Sequence, residues 1–437
     1  MRLIPVLFLM VAGVLPSLAQ GNDVLVSFEP GTSRASRAAA AARHGAALRF
    51  NYGIIDAMAV TLPNENARRG LLGEAAVRSV TPDFPVFASQ QGPASNNGKG
   101  TGKPGTGGGG GTPSSEVLPL GVQRVGAPTA SSNGNGIGVA IVDTGIDLLQ
   151  ADLAVVGGYN AIKSTTSCQD DNGHGTHVAG TVAALDNERD VIGVAPAAAL
   201  YCVKVLNSQG SGSWSTIIAG LDWVHNDGVA RNPAIRVVNM SLGGGGTDDE
   251  TSPLRLAIKR LVDDGIVVVV AAGNDPGLDV SQQVPAAYAR SLDIVTVAST
   301  TAAPGTSVSG CPAAIKADTA SYYTSDGFDV TVSAPGDEKE GITRQGPFCY
   351  LNSVGILSLK LGGGTTRMSG TSMSTPHVSG IVARLLQSPP ATLTATDPAG
   401  IKHYLKTYAS GIGTTPFDSP ASSYTPDGIR EGVAVLP

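Results

Sequence analysis

The feature that most constrains the fold of this chain is a series of short apolar segments that alternate with segments of helical periodicity. Four apolar segments rich in Val, Ile, Leu and Ala lie at 138–142, 200–206, 235–240 and 266–272. Between them, segments at 174–184, 215–225 and 253–262 have the apolar spacing of helices. Strands that are apolar throughout are typical of a parallel sheet with helices on both faces. The sequence therefore predicts a doubly wound α/β domain with a mostly parallel sheet.

Two polar residues lie where such a fold collects functional groups, at the carboxyl ends of the strands. Asp143 follows the strand predicted at 138–142, and Asn274 lies just beyond the strand predicted at 266–272. His174 begins the helix predicted at 174–184. These side chains are candidates for a site at one edge of the sheet.

Ser372 lies at the start of a further predicted helix. It follows Gly370 and Thr371, and apolar residues continue at helical spacing through Leu386. A serine there can act as a nucleophile, because the unpaired N–H groups and the helix dipole favour the negative charge that develops when it attacks a carbonyl. Serine is also a favoured N-cap, so this segment alone fits either role.

Asp143, His174 and Ser372 together provide the side chains that catalysis by a hydroxyl group needs. The nucleophile needs a base to remove its proton, and the base needs a buried acceptor that fixes its tautomer. Each residue alone can be explained as a turn, cap or core residue, but their joint occurrence among small residues favours catalysis. His177 follows His174 by one helical turn, a spacing that could indicate a metal-binding pair. The Glu of an HExxH metal motif is absent, so His177 is interpreted as a buried structural residue.

The N-terminus predicts an exported protein. Residues 1–19 contain a basic Arg2, an apolar run from Leu3 to Leu15 and a small-residue end at Ser17–Ala19, which is the pattern of a secretory signal. No later apolar segment is long enough to span a membrane. A secreted protein without a membrane anchor is expected.

The four cysteines are an even number in the oxidising compartment that this signal implies, so two disulfides are expected. Three connectivities are possible. We prefer Cys168 with Cys202 and Cys311 with Cys349, because each pair joins neighbouring parts of the chain. No CxxC or Cys/His spacing indicates a metal site.

A Gly-rich segment at 90–115 divides the chain. It contains five consecutive glycines at 107–111 and cannot bury apolar surface, so we expect a flexible linker. The part before it reads as strand, helix, two strands, helix and strand, at 23–28, 33–42, 49–55, 57–62, 65–72 and 77–80. That order predicts a small ferredoxin-like α+β domain.

The charge pattern argues against a nucleic-acid partner. The chain has 35 acidic and 29 basic residues and a net charge of -6. No cluster of Lys and Arg is present that could bind a phosphate backbone.

These segments resemble the precursor form of the subtilisin family of serine proteases, the subtilases. The resemblance covers nearly the whole chain and rests on Val142–Gly145, Asn172–Gly180 and Gly370–Met373, in the order Asp, His, Ser. It implies a signal peptide at 1–19, an inhibitory propeptide at 20–89, the linker at 90–115, a subtilisin-like catalytic domain at 116–412 and a tail at 413–437 without an assigned role.

The resemblance also implies a role for each candidate catalytic residue. Asp143 would orient His174, His174 would act as general base and acid, and Ser372 would be the nucleophile. Asn274 and the backbone N–H of Ser372 would donate to the oxyanion of the tetrahedral intermediate.

Two edges of the domain would bind an extended peptide between them as an added strand. Trp214 and Leu242 would border the pocket for the fourth residue before the scissile bond. Gln283 would line the base of the first pocket, for which a bulky uncharged side chain is expected. The full set of implied peptide-binding residues is Gly210, Ser211, Gly212, Trp214, Ser241, Leu242, Gly243, Ala272, Gly273 and Gln283.

A structural calcium ion is a further implication, because residues 185–191 have the length of the family's calcium loop. The implied ligands are oxygens, as calcium prefers. They come from Glu116, Asp152 and Asn187 and from the carbonyls of Leu185, Arg189 and Val191. The loop tip, Glu188–Asp190, is more charged than is usual in the family, so a solvated polar loop is the alternative. No cofactor is expected for catalysis.

The resulting expectation is a secreted, monomeric serine endopeptidase that cleaves polypeptides through an acyl-enzyme. It would be made as a self-processing zymogen, with the strand near 85–89 of its own propeptide in the active site and cleavage between Ala88 and Ser115. One alternative is an esterase that uses the same triad, although the peptide-binding edges favour proteolysis. Another is a scaffold with a decayed site, against which the intact triad and Asn274 argue.

Overall fold

The computed structural model describes residues 22–89, 115–420 and 425–437. The signal segment predicted at 1–19 lies outside the described residues, as does the predicted linker at 90–115 apart from Ser115. The described chain forms a small N-terminal domain and a large domain built on a seven-stranded sheet.

The N-terminal domain is an antiparallel sheet of four strands, in the order β2-β3-β1-β4, with two helices. Its elements follow one another as the sequence predicts. They are β1 Asp23–Phe28, α1 Arg34–Arg43, β2 Ala47–Asn51, β3 Ala57–Thr61, α2 Glu65–Leu72 and β4 Val77–Pro82, followed by a separate strand, β5 Pro85–Ala88.

The second strand differs from its predicted range of 49–55. It ends at Asn51, and residues 53–56 form bends instead. The buried guanidinium of Arg37 on α1 donates to the carbonyls of Tyr52, Ile55 and Ala57 at 2.9–3.0 Å. Because a side chain satisfies these carbonyls, the segment does not need a neighbouring strand.

The seven strands of the large sheet are all parallel, in the order β15-β14-β12-β10-β6-β8-β7. Shorter strands and hairpins surround this sheet. The strands of the large domain are β6 Gly138–Asp143, β7 Val155–Asn160, β8 Ala199–Lys204, β9 Ser211–Ser213, β10 Ile235–Met240, β11 Leu242–Gly245, β12 Val267–Ala271, β13 Gln283–Val284, β14 Val295–Thr301, β15 Val332–Asp337, β16 Glu340–Gln345, β17 Phe348–Ser353, β18 Ile356–Leu359 and β19 Thr365–Met368.

Helices cover both faces of this sheet, as the apolar strands predict. Successive side chains of β12 alternate between two buried clusters, Val268 and Val270 in one and Val267 and Val269 in the other. The first cluster contains α5 and α6, and the second contains α4, α7 and α8. The helices are α3 Leu120–Arg124, α4 His174–Ala183, α5 Trp214–Trp223, α6 Pro253–Asp263, α7 Thr371–Gln387 and α8 Pro398–Gly411.

The end of the chain packs against the large sheet. Val433 and Ala434 are fully buried, and Val433 forms a parallel bridge with Ser333 on the edge strand β15. The segment at 425–437 is therefore structurally part of the large domain.

Two disulfides, Cys168–Cys202 and Cys311–Cys349, connect the large domain in the preferred pairing. Within the described residues, we find no helix with the length and apolar character needed to cross a membrane.

Candidate active site

Asp143 and His174 form a fully buried pair. Asp143 is the last residue of β6, an interior strand of the large sheet, and His174 is the first residue of α4. The imidazole Nδ1 lies 2.8 and 3.0 Å from the two carboxylate oxygens of Asp143. Because a carboxylate accepts, Nδ1 carries the proton, and in the neutral ring Nε2 is left as an acceptor.

A second buried carboxylate, Asp170, joins the elements that carry this pair. Its Oδ1 accepts from Thr144 Oγ1 at 2.9 Å and from the N–H groups of Asn172 and Gly173 at 3.0 Å. Its Oδ2 accepts from the N–H of Thr176 at 3.0 Å and from its hydroxyl at 2.6 Å. Asp170 thus ties the residue after Asp143 to the first turn of α4. Sequence reasoning missed this residue, although an acidic residue shortly before a helix is a capping signal.

Ser372 is the second residue of α7 and is fully buried beneath β5. Gly370 caps this helix with a φ of 146°, which favours glycine. Pro376 lies inside the helix and has no N–H for the Ser372 carbonyl, which instead accepts from Ser241 Oγ at 2.8 Å.

The hydroxyl of Ser372 donates to the carbonyl of Ser241 at 2.9 Å in this structure. His174 Nε2 is buried and has no hydrogen-bond partner among the described residues. The serine–histidine hydrogen bond that general-base catalysis needs is therefore not formed here, while the Asp143–His174 bond is.

Asn274 is held beside the nucleophile by Thr371. Its amide oxygen accepts from the backbone N–H of Thr371 at 2.9 Å and lies 3.0 Å from the Thr371 hydroxyl. A backbone N–H can only donate, so this contact fixes which branch of the amide is oxygen and leaves the NH₂ group as the other branch. The tertiary contact with Thr371 was not foreseen from the sequence.

The two predicted peptide-binding edges lie on either side of one strand of the chain itself. Strand β5 pairs antiparallel with β9 on one side and with β11 on the other. The N–H of Ala88 donates to the Gly210 carbonyl at 3.0 Å, and the N–H of Ser89 donates to the Ser241 carbonyl at 3.1 Å. Strand β5 of the chain is thus held between residues 210–213 and 241–243.

Strand β5 leads directly to the nucleophile. The backbone N–H of Ser372 donates to the carbonyl of Ser89 at 3.1 Å. Three residues earlier, Val86 is fully buried in the apolar cluster that contains Trp214 and Leu242. Ser89 therefore lies at the predicted nucleophile, and Val86 lies in the same buried cluster as Trp214 and Leu242.

Gly273 and Gln283, two residues predicted to line the first pocket, lie against each other. Gly273 has a φ of 109°, and a side chain there would collide with the amide oxygen of Gln283. The Gln283 amide donates to Ser325 Oγ at 3.2 Å, which holds it in this position. Ala272, the preceding residue, is fully buried.

The N-terminal domain also contacts α5. Asp83 accepts from the N–H of Ser215 at 2.8 Å and from its hydroxyl at 2.6 Å, at the first turn of that helix. Asp222 on α5 accepts from the N–H groups of Gly53 and Ile54 at 2.8 and 2.6 Å. Each domain thus provides a carboxylate that pairs with the other domain.

The predicted calcium loop brings several of the expected oxygens together. Glu116 accepts from the N–H groups of Asn187 and Glu188 at 2.8 and 3.0 Å, and Asp152 Oδ2 accepts weakly from the N–H of Val191 at 3.4 Å. The Oδ1 of Asp152 is buried without a hydrogen-bond partner among the described residues. Burial raises the pKa of Asp152 to about 7. These oxygens fit a calcium ion, which would satisfy the buried carboxylate.

The loop at 185–191 and its neighbours do not form a cluster of acidic metal ligands. In the described part of the chain, no three His, Cys, Asp or Glu side chains are grouped as a metal site. The remaining expected ligands are the amide of Asn187 and the carbonyls of Leu185, Arg189 and Val191, so a calcium ion here would depend mainly on uncharged oxygens.

His177 is fully buried, as expected for a structural residue. Its Nε2 lies 2.9 Å from the carbonyl of Ile356. Burial lowers its pKa to about 3, so the ring is neutral at physiological pH.

A buried Asp–His pair, a serine at a helix N-terminus and an extended strand beside them are the parts of a serine-type endopeptidase with a subtilisin-like α/β fold. The chain belongs to the Subtilase family, whose profile matches residues 134–426. The fold class, the family and the enzyme class predicted from the sequence are confirmed.

Individual relatives agree with this assignment. The chain is 34% identical over 307 residues to M-protease of Shouchella clausii (strain KSM-K16), which covers 70% of this chain and 68% of that protein. It is 35% identical over 306 residues to Subtilisin of Bacillus pumilus, covering 69% of this chain and 94% of that protein. Among solved structures, a cold adapted subtilisin-like serine proteinase matches with a TM-score of 0.54 and 29% identity, over 74% of this chain and 98% of that one.

Proposed function

We propose that the chain is the precursor of a secreted serine endopeptidase that cleaves itself after Ser89. The observation that carries this proposal is the 3.1 Å hydrogen bond from the Ser372 N–H to the Ser89 carbonyl, at the end of a strand held between β9 and β11. A substrate peptide would bind in the same antiparallel manner.

In the proposed reaction, Ser372 Oγ attacks the carbonyl carbon of the acyl residue while His174 Nε2 takes the hydroxyl proton. Asp143 holds the imidazole through Nδ1 and stabilises the imidazolium that forms. The oxyanion accepts from the Ser372 N–H and from the Asn274 amide. The C–N bond then breaks, and His174 gives its proton to the leaving amine. Water repeats the sequence on the acyl-enzyme and releases the carboxylic acid.

The hydrogen bond from Ser372 to the Ser241 carbonyl must be exchanged for one to His174 before attack. A rotation about the Cα–Cβ bond of Ser372 changes the partner of its hydroxyl without moving the backbone. His174 Nε2 has no competing partner among the described residues, so it is free to accept.

The N-terminal domain would act as an inhibitor within the same chain. After cleavage, β5 keeps its backbone hydrogen bonds on both sides, and Asp83 and Asp222 keep the domain attached to α5. The new C-terminus at Ser89 then lies in the site as a bound product. Release of this domain would expose β9, β11 and Ser372 to other polypeptides.

Calcium would stabilise the folded enzyme and has no part in the chemical step. Asp152, Glu116 and Asn187, with the carbonyls of Leu185, Arg189 and Val191, would hold it. Two disulfides in an exported protein would add to the same stability.

The test is a time course of the refolded precursor, residues 20–437, compared with its Ser372→Ala variant on a denaturing gel. We expect the wild type to release an N-terminal fragment and to yield a large fragment whose first residue is Gln90. The variant should stay whole. A first cut elsewhere would refute cleavage after Ser89, and processing of the variant would refute self-cleavage by Ser372.

A further inference from the structure

Arg384 is a buried cation without a charged partner among the residues that the structure describes. It lies on α7 with 5% of its surface exposed. Its Nη1 donates to the carbonyl of Ala127 at 2.8 Å, and its Nε is buried without a hydrogen-bond partner in the described part of the chain. No ion pair joins Arg384 to any described acidic side chain.

Burial of an unpaired guanidinium lowers the stability of the folded protein. Arginine is almost never fully buried unless it is paired, because removal of its charge from water is not repaid by one neutral carbonyl. Burial lowers the pKa of Arg384, and no neighbouring charge opposes that effect. Arginine nevertheless stays protonated, so the site keeps a positive charge that the described protein does not neutralise.

Arg384 lines a cleft of about 720 Å³. The apolar part of the wall includes Leu118, Val122 and Ile192, and the polar part includes Ser131 and Asn133. The cleft is separate from the strand β5 and from Ser372. Its size is within the range of sites for small organic ligands.

Residues 130–133 form part of the cleft wall, and hydrogen bonds join this loop to α7, the helix that carries Arg384. The side-chain oxygen of Gln387 accepts from the N–H groups of Asn133 and Gly134 at 2.8 and 2.6 Å. The exposed Asp186 also lies at the wall, but it forms no ion pair with Arg384. The position that a negative charge would take beside the guanidinium is therefore not filled by a described side chain.

We propose that this cleft binds a small organic carboxylate, with its apolar body against Leu118, Val122 and Ile192 and its carboxylate on Arg384. Because Ala127 engages Nη1 and Nε is enclosed by the protein, Nη2 is the guanidinium nitrogen left to donate to a carboxylate oxygen. The bound anion would satisfy the buried charge and would stabilise α7 against unfolding.

The test uses full-length Ser372→Ala precursor with saturating calcium, so that neither autolysis nor the nearby loop at 185–191 affects the result. The probe is hexanoate, and hexanamide is the neutral control of the same size. We expect hexanoate to raise the Tm in a saturable way and hexanamide to leave it unchanged. Equal concentrations of acetate control for ionic strength.

Two further variants connect the response to Arg384. Arg384→Met keeps the length of the side chain and should abolish the hexanoate shift, whereas Arg384→Lys should keep part of it. An equal response to hexanoate and hexanamide, no response to either, or a full hexanoate shift in Arg384→Met would overturn the proposal. If Arg384→Met does not fold, the comparison of the two probes on the Arg384 protein decides. None of these readouts depends on peptidase activity, so the result is independent of the proposed function.

Discussion

Replacement of Asp170 by Asn is expected to lower both stability and turnover, although Asp170 does not touch the substrate. The two carboxylate oxygens of Asp170 accept five hydrogen bonds, three at Oδ1 and two at Oδ2. Together they join Thr144, which follows Asp143, to the turn that carries His174. An Asn side chain has one oxygen and one NH₂ group, so the bonds from backbone N–H groups at one branch are lost in either orientation, one at Oδ2 or two at Oδ1, whereas a hydroxyl can rotate to accept.

The size of the effect follows from those lost bonds. A hydrogen bond to a charged group contributes about 1.5–3 kcal/mol, so loss of one or two predicts a decrease of about 1.5–6 kcal/mol in the free energy of unfolding. The loss also releases the first turn of α4. A displacement of about 1 Å in a catalytic group can reduce the rate about 10²-fold. We expect kcat to fall by that order while KM changes little, because β9 and β11 are untouched.

Two measurements test this prediction, with Asp171→Asn as the matched control. Asp171 is the next residue, carries the same charge and is about half exposed, with one ion pair to Lys204. Denaturant unfolding in the Ser372→Ala background gives the stability, and kinetics normalised to the serine sites labelled by a covalent probe give kcat and KM. Equal kcat and equal stability in Asp170→Asn and Asp171→Asn would refute the positioning role of Asp170.

Three other changes test separate parts of the structure. Asn274→Ala should lower kcat about 10²–10³-fold with little change in KM, as loss of the corresponding donor does in a subtilisin, and a normal kcat would exclude the amide from the oxyanion site. Chelation with EDTA should lower the Tm of the wild type but not that of Asp152→Asn; equal shifts would contradict the assigned ligands. Burial lowers the pKa values of His177 and His377 from 6.5 to about 3 and about 4, so both rings are neutral when folded and gain protons on unfolding. Their contribution is fully present above pH 6.5 and is lost as the pH falls toward the folded values, by about 1.4 kcal/mol per unit for each ring. The unfolding free energy of the wild type relative to His377→Gln should follow that slope below pH 6.5, and a difference that does not vary with pH would contradict it.

Much of the fold can be predicted from short segments of the sequence. The strands β6, β10 and β12 were predicted to within a residue or two at each end, because a strand buried on both faces must be apolar throughout. The N-terminal domain was predicted in element order for a similar reason, since its alternation and helical spacing are local. The range of the second strand was predicted wrongly. Arg37, which lies 15–20 residues earlier in the chain, donates to the carbonyls that a longer strand would have paired.

The candidate site also has features that the local sequence predicts and features that depend on tertiary contacts. Asp143, His174, Ser372 and Asn274 lie in short motifs with distinctive neighbours, so sequence alone nominated all four. The hydrogen bonds around these four residues could not be predicted from the sequence. Asp170, Thr371 and the Ser241 carbonyl act through contacts between segments up to 131 residues apart, and no local pattern encodes such a distance.

The sequence by itself determined the strand and helix pattern, the class of chemistry and the presence of a separate N-terminal domain, because these depend on periodicity and on residue types within short segments. Only the tertiary structure decided the register in which β5 lies between β9 and β11, which places Ser89 at the nucleophile, and that Arg384 is buried without a counterion among the described residues. Both depend on which distant surfaces meet and on which charges remain unpaired after they meet. That is a property of the packed chain, because desolvation and hydrogen-bond pairing are set by all neighbours in space.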